Sequence, residues 1–105
     1  MAIKLNDVNF EEEVIECKKF VLVDFYSDNC VPCKVMALVM ERIEIVYNNK
    51  FKTAMINVTE CDKIAKKYGV SSVPCFVMFK DGREAGRAMG SKTFSDVDSW
   101  IKKFF

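Results

Sequence analysis

The stretch Phe20-Val21-Leu22-Val23-Asp24-Phe25-Tyr26-Ser27-Asp28-Asn29-Cys30-Val31-Pro32-Cys33-Lys34 decides the reading of this 105-residue chain. Phe20 to Tyr26 is rich in β-formers and apolar on both parities, the mark of a strand buried on both faces. One acid, Asp24, interrupts it. After the cysteines, Val35, Met36, Leu38, Val39, Ile43 and Val46 recur at helical spacing to about Tyr47. Cys30 and Cys33 therefore stand where a buried strand hands over to a helix. Two intervening residues let the sulfurs meet across one tight turn, and Pro32 suits the first helical turn. A thiol at a helix N-terminus feels free N–H groups and the positive end of the dipole, which favour its thiolate. Cys30, first and more exposed, is expected to attack; Cys33, one turn in, is expected to resolve the mixed disulfide.

Outward from this stretch the chain reads as one compact body. Asn9-Phe10-Glu11-Glu12 predicts an N-cap and a short helix through about Cys17. Phe51 to Val58 reads as a second strand. Thr59 is expected to cap a helix through Tyr68 that stops at Gly69. Cys75 to Phe79 is a third strand, Asp81-Gly82 a hairpin turn, and Arg83 to Met89 its return. Gly90 breaks the chain. A last helix then carries Phe94, Val97, Trp100, Ile101 and Phe104 on one face. Strands alternating with helices, followed by a hairpin, predict an α/β sandwich with a mixed sheet. With four glycines, two prolines and no repeat, residues 1–105 are expected to form a single domain.

Half the residues are apolar, 30% are charged, and the formal net charge is +1. No basic stripe points to nucleic acid. The opening Met1-Ala2-Ile3-Lys4-Leu5-Asn6-Asp7 has no long apolar run behind a basic cluster, so no signal peptide is expected. Nothing approaches the roughly 18 unbroken apolar residues of a membrane span. A cytoplasmic monomer is the expectation. Five cysteines, an odd number, argue against a secreted disulfide framework. In a reducing compartment, closely spaced cysteines are more often catalytic or metal-binding. Metal ligation would need a second pair, but Cys61 and Cys75 are fourteen residues apart and histidine is absent. No metal or cofactor is called for.

The residues from Phe20 to Lys34 resemble the signature of the thioredoxin family, in which a buried Val-Asp-Phe strand runs into Cys-Gly-Pro-Cys-Lys. The likeness extends over nearly the whole chain: Val73-Pro74 matches the family's cis-proline, Phe79-Lys80-Asp81-Gly82 its hairpin, and Gly90 its last characteristic glycine. The resemblance implies a thioredoxin fold, with a central mixed five-stranded sheet flanked by four helices. It implies a cis bond before Pro74 and Asp24 as a buried proton acceptor beneath Cys33. It also implies a shallow docking surface at Asn29, Val31, Pro32, Val73, Pro74 and Gly90, where an extended substrate segment pairs with the Val73 backbone. The implied partners are a flavoprotein of thioredoxin-reductase type and disulfide-bearing proteins.

Four positions depart from the family pattern. Asn29 replaces the usual tryptophan and Val31 the usual glycine, which alters the docking surface. Met55 stands where a lysine is usual near the buried aspartate, and Cys75 where threonine follows the proline. Cys-x-Pro-Cys forms without the tryptophan resemble those of strictly anaerobic, amino-acid-fermenting bacteria.

A lone acid in an apolar strand is either neutral or solvated. Asp24 is read as catalytic, with a backbone-capping aspartate as the alternative. Cys75 reads as a core residue more readily than as a third redox thiol. Cys17 and Cys61 read as structural, as do Met36, Met40, Met78 and Trp100. Three functions fit: a general disulfide reductase, a dedicated electron donor to one metabolic enzyme (a glycine-reductase-type system, for example), and a non-catalytic adaptor. The intact Cys30/Cys33 pair with Asp24 and Pro74 speaks against the adaptor.

Overall fold

The computed structural model describes residues 2–48 and 50–105. In chain order the elements are β1 (Ile3–Lys4), a π-helical turn (Glu11–Ile15), β2 (Val21–Tyr26), α1 (Val31–Tyr47), β3 (Lys52–Asn57), α2 (Asp62–Lys67), β4 (Cys75–Lys80), β5 (Arg83–Met89) and α3 (Phe94–Lys102). The strands make one sheet in the order β1-β3-β2-β4-β5. Strands β1, β3 and β2 are parallel; β4 runs antiparallel to β2, and β5 antiparallel to β4. This is the mixed five-stranded sheet with four helical segments that the resemblance implies.

Because successive strand residues point to opposite faces, the apolar runs of β2 and β4 feed two cores. Val21, Val23, Phe25, Cys75, Val77 and Phe79 pack with Phe10, Val14, Cys61 and Ala65 beneath the π-helical turn and α2. Leu22, Phe76 and Met78 pack with Met36, Met40 and Ile43 of α1 and Val97 and Ile101 of α3. Asp24 is on this second face, the one charged group in an otherwise apolar row of β2. The methionines read as core residues are buried there. Trp100 packs edge-on against Phe104, ring centroids 5.2 Å apart.

Two expected caps are placed differently. The Asn9 side chain does not open the first helix: its Oδ1 accepts from the Asn6 N–H, while the Asn6 Oδ1 accepts from the N–H groups of Val8 and Asn9. The reciprocal pair puts the capping residue three positions earlier, at Asn6, and the segment that follows is π-helical, Glu11–Ile15, ending before Cys17. Thr59 does not cap α2 either. The buried Asn57 side chain accepts from the N–H groups of Thr59 and Glu60, and the helix begins only at Asp62. By contrast, Thr93 caps α3 by accepting the Asp96 N–H at 3.1 Å. Asp81 and Gly82 both have positive φ, 52° and 77°, as the tight turn between β4 and β5 demands.

Candidate active site

The parallel β2 and the antiparallel hairpin β4–β5 bring three loops to one end of the sheet. Strand β2 ends there at Tyr26, β4 begins there at Cys75, and β5 ends there at Met89, because Phe25 pairs with Cys75 and Cys75 with Met89. The loop after β2 carries Asn29 and Cys30. The loop before β4 carries Val73 and Pro74, joined by a cis peptide bond. Gly90 follows β5 with φ 82°, and its N–H donates to the Pro74 carbonyl at 2.9 Å. The backbone thus ties the proline loop to the glycine loop.

Cys30 and Cys33 form a disulfide, with Cα atoms 5.2 Å apart. Cys30 is the N-cap of α1, and its sulfur accepts the N–H of Cys33 at 3.2 Å. Pro32 sits in the first turn, where its missing N–H leaves nothing unpaired. A sulfur in this cap faces the helix's free N–H groups and its positive dipole end, so a thiolate formed on Cys30 is stabilised by the fold itself. Cys30 is partly exposed and Cys33 buried. Asn29 has φ 57°, a left-handed conformation that asparagine tolerates better than bulkier residues. The run Ser27-Asp28-Asn29 was the sequence signal for this turn, and it went unread.

Beneath the disulfide, Asp24 is 2% exposed and its Oδ1 has no hydrogen-bond partner among the described residues. Burial pushes its pKa from 3.8 up to about 7. The carboxyl is no backbone cap at that atom. Its strand neighbours in register are Met55 and Phe76, neither able to supply a charge. Asp24 and Cys33 line one cleft of about 380 Å³ together with Asn29, Lys34, Ala37 and Met55. A second cleft of about 200 Å³ reaches Asp24 from the side of Glu41 and Glu44. Sequence reasoning missed that second approach because it is made by residues far apart in the chain.

The remaining candidates separate. Val31 and Pro32 are exposed beside the disulfide, Gly90 is exposed, Val73 half-buried and Pro74 buried. Cys75 turns to the opposite face of the sheet, buried among Phe25, Ile56 and Val77, and Cys61 shares that core. Burial raises the pKa of both thiols. One tie escaped the sequence reading: the Lys92 N–H donates to the Met36 thioether at 3.3 Å, anchoring the chain after Gly90 to α1.

A disulfide capping a helix at the end of a mixed sheet, over a buried acid and beside a cis-proline, defines a dithiol–disulfide oxidoreductase. Comparison with known proteins agrees with this class. The family model for thioredoxin matches residues 1–103. Thioredoxin C-2 of Corynebacterium nephridii is 34% identical over 99 residues, covering 94% of this chain and 92% of its own. Thioredoxin of Rickettsia bellii is 34% identical over 101 residues, 96% of each chain. Thioredoxin of Buchnera aphidicola from Schizaphis graminum is 43% identical over 82 residues, 78% of this chain and 75% of its own. The chain belongs to the thioredoxin family. It is a protein-disulfide reductase that works through a reversible Cys30–Cys33 disulfide, and the adaptor reading is not favoured. Among the described residues no helix is long and apolar enough to cross a membrane.

Proposed function

We propose that residues 1–105 act as one domain, in the cytoplasm, as a general reductase of protein disulfides. The Cys30 thiolate attacks one sulfur of a substrate disulfide and releases the other as a thiolate. Cys33 then gives up its proton and attacks the Cys30 sulfur. The second substrate thiol leaves, and two electrons have passed from the dithiol to the substrate. With no histidine in the chain, Asp24 is the group that accepts the Cys33 proton and passes it to water in the cleft. A carboxyl with a pKa of about 7 suits that exchange near neutrality. Asn29, Val31, Pro32, Val73, Pro74 and Gly90 form the docking surface, where an extended substrate segment pairs with the Val73 backbone. A flavoprotein of thioredoxin-reductase type restores the dithiol.

The observation that carries this reading is the Cys33 N–H on the Cys30 sulfur, since it places the more accessible thiol where its anion is stabilised. A Cys33→Ser variant halts the sequence after the first step and accumulates mixed disulfides on Cys30. Trapping from the native host should capture many proteins. Capture of one dominant enzyme would instead make the chain a dedicated electron donor. Absence of any mixed disulfide would remove Cys30 as the attacking thiol.

A further inference from the structure

Helix α1 spends Cys33, Met36, Met40 and Ile43 on the core. Its opposite side is apolar as well. Val31, Val35, Leu38, Ile45 and Val46 are 71%, 52%, 66%, 78% and 54% exposed. Their spacing, i, i+4, i+7, i+14 and i+15, lines them along one side of the helix. Single exposed apolar residues are ordinary, whereas a contiguous stripe rimmed by charge marks an association surface. Arg42 falls in the same row, but its guanidinium lies 4.0 Å over the Phe94 ring, drawn toward α3.

The rim says what covers the stripe. Lys34 and Glu41 are two turns apart, so they share a flank, and both line the clefts beside Met55. Neither side chain has an ion pair or hydrogen-bond partner among the described residues.

We propose that this face binds a second copy of the chain, the two α1 helices packed antiparallel across a two-fold axis near Leu38. Such an axis reverses the helix direction and brings the same flank of each copy together. Leu38 then meets Leu38, Val31 meets Ile45 and Val46, and Lys34 meets Glu41, twice. The antiparallel arrangement also sets each helix N-terminus beside the other's C-terminus. Five side chains fall short of the roughly 800 Å² per partner of a standard interface, so association is weak and the chain is a monomer when dilute. Val31 adjoins Cys30. Self-association therefore competes with the docking surface proposed above, and withdraws the dithiol as concentration rises.

Sedimentation equilibrium from about 10 μM to about 1 mM, the range of weak complexes, tests this directly. The wild-type mass is expected to rise toward twice that of the monomer. Lys34→Glu and Glu41→Lys should each remain monomeric. An equimolar mixture of the two should associate again, because every rim charge then faces its opposite across the axis. A wild type that stays monomeric throughout overturns the proposal, as it would if the stripe served a different protein. Single variants that associate like wild type, or a mixture that stays monomeric, overturn it equally.

Discussion

Asp24 on β2 stands directly opposite Met55 on β3, in the parallel register of the two strands. The carboxyl has an apolar neighbour on each side, Met55 and Phe76, and one oxygen without a hydrogen-bond partner among the described residues. Nothing in that row offsets desolvation, so the neutral acid is the favoured form up to about pH 7. The carboxyl therefore becomes able to accept a proton only as it ionises, from about pH 7 upward.

Stability should report this proton. The folded pKa of about 7 lies above the 3.8 of an ordinary aspartate, so the native state binds a proton that the unfolded chain releases. That contribution is fully present below pH 3.8 and is lost as pH rises to about 7. Asp24→Asn, neutral at every pH, should gain on wild type across this window, by a few kcal/mol at pH 8 and little near pH 4. Urea denaturation of both proteins at pH 4 to 8 gives the difference. A pH-independent difference would mean Asp24 titrates as an ordinary carboxyl.

The thiols should react in an order set by access and electrostatics. In the reduced native protein, one equivalent of iodoacetamide should modify Cys30 first and abolish reduction of insulin disulfides. Cys61 and Cys75 are buried and their pKa values raised by that burial, so both should react only on unfolding. Peptide mapping after brief labelling decides the order. Faster modification of Cys33 or Cys75 would reverse the assigned roles.

Two glycines with positive φ should answer differently to alanine. A Cβ on Gly82 would lie 2.7 Å from the Ile15 carbonyl oxygen, a backbone atom, on top of the strain of φ 77°. Gly82→Ala should lower stability by about 2 kcal/mol or more. Gly90 has φ 82° but nothing within 4 Å of its Cβ position. Gly90→Ala should lower stability by about 1 kcal/mol, the backbone term alone, and weaken substrate docking as a raised KM. Thermal melts paired with insulin-reduction kinetics separate the two effects. Equal losses of stability would deny the clash at Ile15.

How much of this was legible in the sequence depended on where the determining contacts lie. The site at Cys30 and Cys33 was readable because strand, turn, proline and helix occupy one continuous stretch. The β4–β5 hairpin was readable because Asp81-Gly82 carries its own turn chemistry. Strand β1 was not read from the residues. Ile3–Lys4 is too short for a periodic pattern and is a strand only because Ala54 and Met55 offer it an edge. The caps at Asn9 and Thr59 were misplaced because asparagines two or three residues earlier close the turns first, Asn6 on the N–H groups of Val8 and Asn9, and Asn57 on those of Thr59 and Glu60. The Met36–Lys92 tie and the second cleft at Asp24 join distant segments, which no local rule can foresee.

Replacing Met55 should show whether Asp24 governs the resolving step. In wild type, Cys33 can pass its proton to Asp24 only when the carboxyl is ionised, so resolution should quicken with pH around about 7. Met55→Lys puts an ammonium directly across the strand pair, which favours the carboxylate and lowers the Asp24 pKa. The inflection in the resolution rate should move to lower pH. The plateau above it should fall, because a less basic carboxylate is a weaker proton acceptor. Met55→Leu, apolar and of similar volume, should leave the inflection near 7, which separates charge from packing. Asp24→Asn should lose the inflection and accumulate mixed disulfide while attack by Cys30 proceeds. Rapid-mixing measurement of mixed-disulfide decay across pH 5–9, a window of about two units either side of that value, tests all three. If Met55→Lys traces the wild-type profile, charge at position 55 does not reach Asp24; if Asp24→Asn does so too, the Cys33 proton goes directly to water.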